Sequence, residues 1–75
     1  MKSKQKMTKQ DLRLARHLQK VRQAKGITQE QLAEKVGVST TWIGYVETGL
    51  YRPNLTLVYK IARVLGVEVK DLIPF

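Results

Sequence analysis

A chain of 75 residues can bury one modest core, so it reads as a single domain with no room for a separate catalytic unit. It contains no Cys, which excludes disulfide staples, thiolate nucleophiles and Cys-based zinc sites and fits a reducing compartment. The net charge of +8 is lodged in the first third: residues 1–25 carry nine Lys or Arg against Asp11 alone, whereas residues 26–75 carry five charges of each sign. So local an excess favours a polyanion, either nucleic acid or an anionic membrane surface, with a solvated tail kept for solubility as the plainer alternative. No apolar run approaches the roughly 18 residues of a membrane span, and the first ten residues lack the apolar centre of a signal peptide. A soluble, cytoplasmic protein is therefore expected.

Residues 1–8 form a polar, Lys-rich arm (Lys2, Lys4, Lys6) without periodicity, expected to be flexible, and residues 9–75 form the domain. With Thr8 as N-cap, the pattern predicts a helix over residues 9–25 that buries Leu14, Ala15, Leu18, Val21 and Arg22 on one arc. Lys9, Arg13, Arg16 and Lys20 repeat at spacings of 4, 3 and 4 on the opposite face, a positive ridge. Gly26 closes the helix, because glycine accepts a left-handed backbone. Thr28, followed three residues later by Gln31, is a capping box that opens a second helix to Val36, with Leu32, Ala33 and Val36 inward. Gly37 supplies a turn, and Ser39 caps a third helix over residues 40–48, ended by Gly49. Pro53 disfavours helix at Arg52 and leaves Asn54 to cap a fourth helix over residues 55–65, which stops at Gly66. Residues 68–73 allow one or two more turns before Pro74. The fold class is all-α, five helices.

On a wheel with Thr40 at zero, Gly44, Thr48, Thr41 and Tyr45 follow within about 140°, and Ile43 and Val46 lie on the far side. One face is apolar; the other carries short hydrogen-bonding groups that suit base edges and thymine methyls. A merely solvated face is the equal alternative from the helix alone, although Gly44, at about 1 kcal/mol less favourable than alanine, points to close approach of another surface. Arg22 lies inside the apolar arc of the first helix and Glu47 borders that of the third. Buried charges need partners, and guanidinium and carboxylate satisfy each other in bidentate geometry, so the two are expected to pair; the alternative is a pair of snorkelling side chains.

Together, Thr28-Gln29-Glu30-Gln31-Leu32-Ala33, Gly37-Val38-Ser39, Ile43 with Val46-Glu47 and Gly49, Pro53-Asn54-Leu55, Ile61-Ala62 and Leu65-Gly66-Val67 resemble the Cro and lambda-repressor-like helix-turn-helix family, also called Xre type, over residues 9–73. The resemblance implies a compact five-helix domain, prokaryotic or phage-type, that binds double-stranded operator DNA, commonly as a two-fold homodimer. It implies that Gln29 bonds a phosphate and braces the third helix, that Thr40, Thr41 and Tyr45 face bases, and that Gly44 lies near the groove. Trp42 packs beside the sugar-phosphate backbone or, nearly as well, fills the crevice between the second and third helices. The chain departs from the family in its loop Leu50-Tyr51-Arg52, where only Arg52 is cationic, and at Leu57, frequently polar in relatives. Residues 28–50 carry Lys35 against Glu30, Glu34 and Glu47. Phosphate attraction must then come largely from Lys2, Lys4, Lys6, Lys9, Arg16, Lys20, Lys35 and Arg52, with Ser39 and Trp42 as further backbone contacts and a palindromic site about 34 Å between half-site centres.

An apolar surface for a dimer is expected from Leu57 and Val64 on the fourth helix with Leu72, Ile73 and Phe75 at the C-terminus, unless these close the core; monomer and weak dimer are equal expectations free of DNA. The main rival function is a protein-interaction module on the same scaffold, an antitoxin or antirepressor using Leu50, Tyr51 and the C-terminal apolar residues. A membrane-surface binder is disfavoured because the basic ridge has no spare apolar face. An enzyme is disfavoured because no acid, base and nucleophile cluster is available, Asp11, Glu30, Glu34, Glu68 and Asp71 all reading as caps or solvated charges. Neither a cofactor nor a metal is expected.

Overall fold

In the computed structural model, residues 8–75 are described; Lys2, Lys4 and Lys6 of the arm lie outside them. Five helices follow in order: α1 Lys9–Ala24, α2 Gln29–Val36, α3 Thr40–Glu47, α4 Leu55–Leu65 and α5 Val69–Leu72. The described residues contain no strand.

Each of the first four helices begins where a side chain satisfies an orphan amide. Thr8 Oγ1 accepts the Asp11 amide at 3.0 Å while Asp11 Oδ2 accepts the Thr8 amide at 2.8 Å. Thr28 and Gln31 make the same reciprocal exchange at 3.0 and 2.9 Å. Ser39 Oγ accepts from Trp42 at 3.0 Å and Asn54 Oδ1 from Leu57 at 2.8 Å. Such caps contribute about 1 kcal/mol each, and for helices of only two turns they decide whether the helix starts in one place. Between α2 and α3, Gly37 has φ of +90° and donates to the Ala33 carbonyl at 2.8 Å. A side chain there would be strained, so the sharp reversal that sets α3 across α2 rests on this glycine.

The α2 helix packs against both α3 and α4, while α1 crosses α3 and α5. Leu18, Leu32, Val36, Ile43, Val46, Ile61, Leu65 and Leu72 form the centre of the core. Leu72 corrects the expected dimer surface: it is fully buried, 0% exposed, because the single turn of α5 directs it inward against α4 and α1. Leu57 and Val64 are half-buried and packed on the same core. Ile73 and Phe75 remain at the surface.

The C-terminal segment is tied to α1. Arg13 Nη2 donates to the Pro74 carbonyl at 3.1 Å, its guanidinium lies 5.8 Å from the centre of the Phe75 ring, and His17 Nε2 hydrogen-bonds the Asp71 carbonyl at 2.7 Å. Part of the basic ridge of α1 thus serves to hold the chain end.

Candidate nucleic-acid interface

The α3 helix presents two unlike faces. Ile43, Val46 and Glu47 are buried, whereas Thr40, Thr41, Tyr45 and Thr48 are exposed and Gly44 is half-buried between them. A methyl group built on Gly44 would meet no atom of the chain within 4 Å, so internal packing does not require glycine there. The end of the helix is fastened by Thr48 Oγ1, which donates to the Tyr45 carbonyl at 3.1 Å. Tyr45 itself stands edge-on to Tyr51, with ring centres 5.2 Å apart and planes at 86°, the T-shaped arrangement favoured by aromatic quadrupoles. Tyr51 is thereby a neighbour of the exposed α3 face, a relation that the sequence shows only as adjacency in a loop.

Behind this face Arg22 and Glu47 form a buried, bidentate pair. Nε donates to Oε2 at 2.6 Å and Nη2 to Oε1 at 3.0 Å, with 8% and 3% of the two side chains exposed. Two further bonds complete the network: Arg22 Nη1 donates to the Ile27 carbonyl at 2.7 Å and Gln29 Nε2 to Glu47 Oε1 at 2.9 Å. No buried side-chain polar atom among the described residues is left without a partner. The network joins α1, the start of α2 and the end of α3, and it takes Glu47 out of the charge that the outer surface shows to solvent.

The remaining backbone-contact candidates fall in different places. Ser39 is the α3 cap and keeps its hydroxyl hydrogen; Gln29 is half-buried and keeps one amide hydrogen after bonding Glu47. Trp42 is half-buried and packed on the core. Lys9, Arg16 and Lys20 are exposed on α1, the last two bordering a groove of about 360 Å³ with Arg13, His17 and Pro74 that none of the exposed α3 residues lines. Lys35 borders a groove between α2 and α4, likewise apart from those residues.

Arg52 meets Asp11 across the fold, Nε to Oδ1 at 2.7 Å and Nη2 to Oδ2 at 2.9 Å. Asp11, expected as a cap or a solvated charge, is therefore both a cap and an ion-pair partner. The pair fixes the loop after α3 to the first turn of α1. Its bond to Arg52, with help from the Thr8 amide, holds the Asp11 carboxyl at about 2 instead of 3.8, and raises Arg52 further. A carboxyl whose value is lower folded than unfolded contributes stability that is complete above its unfolded value and lost as pH falls through the folded one. Urea midpoints should accordingly drop between about pH 4 and pH 2, and Asp11→Asn should flatten that part of the profile; an unchanged acid limb in the variant would remove Asp11 as its source.

Two short capped helices joined at a glycine turn, the second held from behind and showing a polar face, define a helix-turn-helix of the DNA-binding type. Residues 18–72 match the helix-turn-helix family model. A transcriptional regulator of this type from Archaeoglobus fulgidus is 52% identical over 50 residues, covering 67% of this chain and 71% of that protein. Among solved structures, the restriction-modification controller protein C.AhdI from Aeromonas hydrophila superposes with a TM-score of 0.79 at 32% identity, over 83% of this chain and 94% of the other. The biofilm master regulator SinR, solved in complex with DNA, gives 0.73 at 30% identity over 79% of this chain and 95% of that one. The chain belongs to the lambda-repressor-like (Xre-type) helix-turn-helix family of DNA-binding transcriptional regulators. No helix among the described residues is long and apolar enough to cross a membrane.

Proposed function

We propose that the protein is a cytoplasmic, sequence-specific transcriptional repressor that reads a palindromic operator as a homodimer, with α3 in the major groove. The observation that carries this reading is the division of α3 into a buried apolar side and an outer side bearing Thr40, Thr41 and Tyr45. Hydroxyl and phenol groups of this size reach base edges, and the Thr methyls suit the thymine methyl. Ser39, Gln29 and Arg52 border the same unit and would bond phosphates, which position without selecting sequence. Lys2, Lys4, Lys6, Lys9, Arg16 and Lys20 would supply salt-dependent attraction by displacing counterions. Residues 1–8 would act as an arm appended to the domain at residues 9–75. Repression needs no further machinery, since occupancy of an operator excludes other proteins.

For the dimer, Ile73 and Phe75, exposed at 36% and 59%, with the outer edges of Leu57 and Val64, are the surface we favour. Two-fold symmetry would place the reading helices about 34 Å apart, one turn of DNA. Selection of bound sites from a random duplex pool tests the reading as a whole. A palindromic motif supports it, an asymmetric motif removes the dimer, and the absence of any enriched motif removes sequence-specific reading. The exposure of Leu50 and Tyr51, 57% and 48%, favours one second reading, an antitoxin or antirepressor module; absence of salt-dependent DNA binding would select it.

Gly44 gives a prediction of opposite signs. Because a methyl group there meets nothing in the free chain, Gly44→Ala should stabilise the fold by about 1 kcal/mol. If α3 lies close against a groove, the same methyl takes space that DNA needs, so affinity for the selected site should fall. Urea melts and duplex titration check the two halves. A variant that is more stable and binds DNA unchanged would count against close approach at this position.

A further inference from the structure

The groove between the end of α2 and the outer side of α4 shares Val64 with the edge of the dimer surface favoured above and Lys35 with the phosphate contacts expected from charge, and its other lining residues take part in no contact proposed above. It encloses about 550 Å³ and is lined by Lys35, Val36, Thr56, Tyr59, Lys60, Arg63 and Val64. Three of these seven are cations and none is a carboxylate, although the formal charge of residues 26–75 sums to zero. None of the ion pairs among the described residues involves Lys35, Lys60 or Arg63. The Arg63 guanidinium lies over the Tyr59 ring, 5.9 Å from its centre, which holds the planar fork in place for a bidentate partner. Leu55, 74% exposed, and Tyr59, 53% exposed, stand one turn apart on α4 and extend the apolar edge of the same face toward its N-terminus.

We infer that this groove docks an acidic segment of a partner protein, one that carries an apolar side chain between carboxylates. Charge complementarity selects the occupant. Carboxylates would meet Lys35, Lys60 and the Arg63 fork, and an aliphatic or aromatic side chain would rest on Val36, Val64 and the Tyr59 ring. A duplex is the poorer fit: its phosphates lie on a convex surface too broad for a concavity of this volume, and they gain nothing from an apolar floor. None of Thr40, Thr41, Gly44 or Tyr45 borders the groove, so the segment and DNA are held by different residues and bind together. A regulator built in this way would carry its partner to the operator.

The isotope-labelled 75-residue chain, titrated with the hexapeptide Glu-Glu-Leu-Phe-Glu-Glu and followed by amide NMR, tests the inference. Shifts should gather at Lys35, Tyr59, Lys60, Arg63 and Val64 and persist when duplex DNA is added. Affinity should fall about tenfold or more when the peptide glutamates are replaced by glutamine, and likewise in Lys60→Glu/Arg63→Glu, because charge-assisted bonds are lost. Both replaced residues are exposed, and the thermal melt of the variant verifies its folding. No binding, shifts confined to α1, or displacement of the peptide by duplex overturns the inference. A variant with weaker DNA binding and a shallower salt slope would also overturn it, by making the groove a phosphate contact.

Discussion

Glu47→Ala is expected to lose about 3 to 5 kcal/mol of folding stability, the largest effect of any single replacement outside the apolar core. The carboxylate receives two bonds from Arg22 and one from Gln29, and its side chain is 3% exposed. Removing it leaves a guanidinium, 8% exposed, with only the Ile27 carbonyl as a partner. Desolvation of the unpaired charge, more than the absent attraction, sets the cost. A chain of this length draws on a total of about 5 to 15 kcal/mol and sits toward the low end, so the variant should be largely unfolded by modest heating. The double variant Arg22→Met/Glu47→Leu removes both charges and fills their volume. Its loss should be well below the sum of the two single losses. Urea denaturation of the four proteins measures the coupling, and simple additivity would show that the pair contributes nothing as a pair.

The position of this pair explains why a charged residue is kept at the back of α3. Glu47 is the last residue of the helix, and its carboxylate is bonded to α1 through Arg22 and to the first residue of α2 through Gln29. The angle at which the outer face of α3 leaves the domain is therefore set by directional bonds as well as by the packing of Ile43 and Val46. Apolar contacts alone tolerate sliding; a fork of hydrogen bonds does not.

Much of this was legible in the sequence because the signals are local. Thr8, Thr28, Ser39 and Asn54 mark the helix starts through bonds spanning three residues, and glycines mark most of the ends, so element boundaries need no knowledge of packing. Arg22 and Glu47 stood out because each interrupts or borders an apolar arc. What stayed hidden depends on how distant elements meet. Asp11 and Arg52 are 41 residues apart, and a loop residue has no periodicity from which its direction follows. The sequence leaves Leu72 open between the surface and the core because α5 is one turn long, too short for a stripe to distinguish inside from outside; the fold buries it. Charge alone groups Lys35 with the other cations of the chain; that it lies beside Lys60 and Arg63 follows only from the packing of α2 on α4.

At the reading face the decisive variant is Tyr45→Ala. Tyr45 is 39% exposed and makes its ring contact with Tyr51, itself at the surface, so truncation opens no cavity in the core and should change stability by no more than about 0.5 kcal/mol beyond the aromatic pair. If the phenol reads a base edge, discrimination at one symmetric pair of operator positions should fall by about 1 to 3 kcal/mol. Binding to random duplex, and the slope of affinity with salt, should stay as they are, because both are set by phosphates and the cations that face them. Tyr45→Phe separates two ways of reading: it keeps the ring against Tyr51 and any contact with a thymine methyl, and it removes only the hydroxyl. Loss in both variants points to a hydrogen bond, and loss in the alanine variant alone to packing. Competition titrations against single-base operator variants provide the measurement. Equal weakening on operator and random DNA would take Tyr45 out of direct readout and make it a support for the loop at Tyr51.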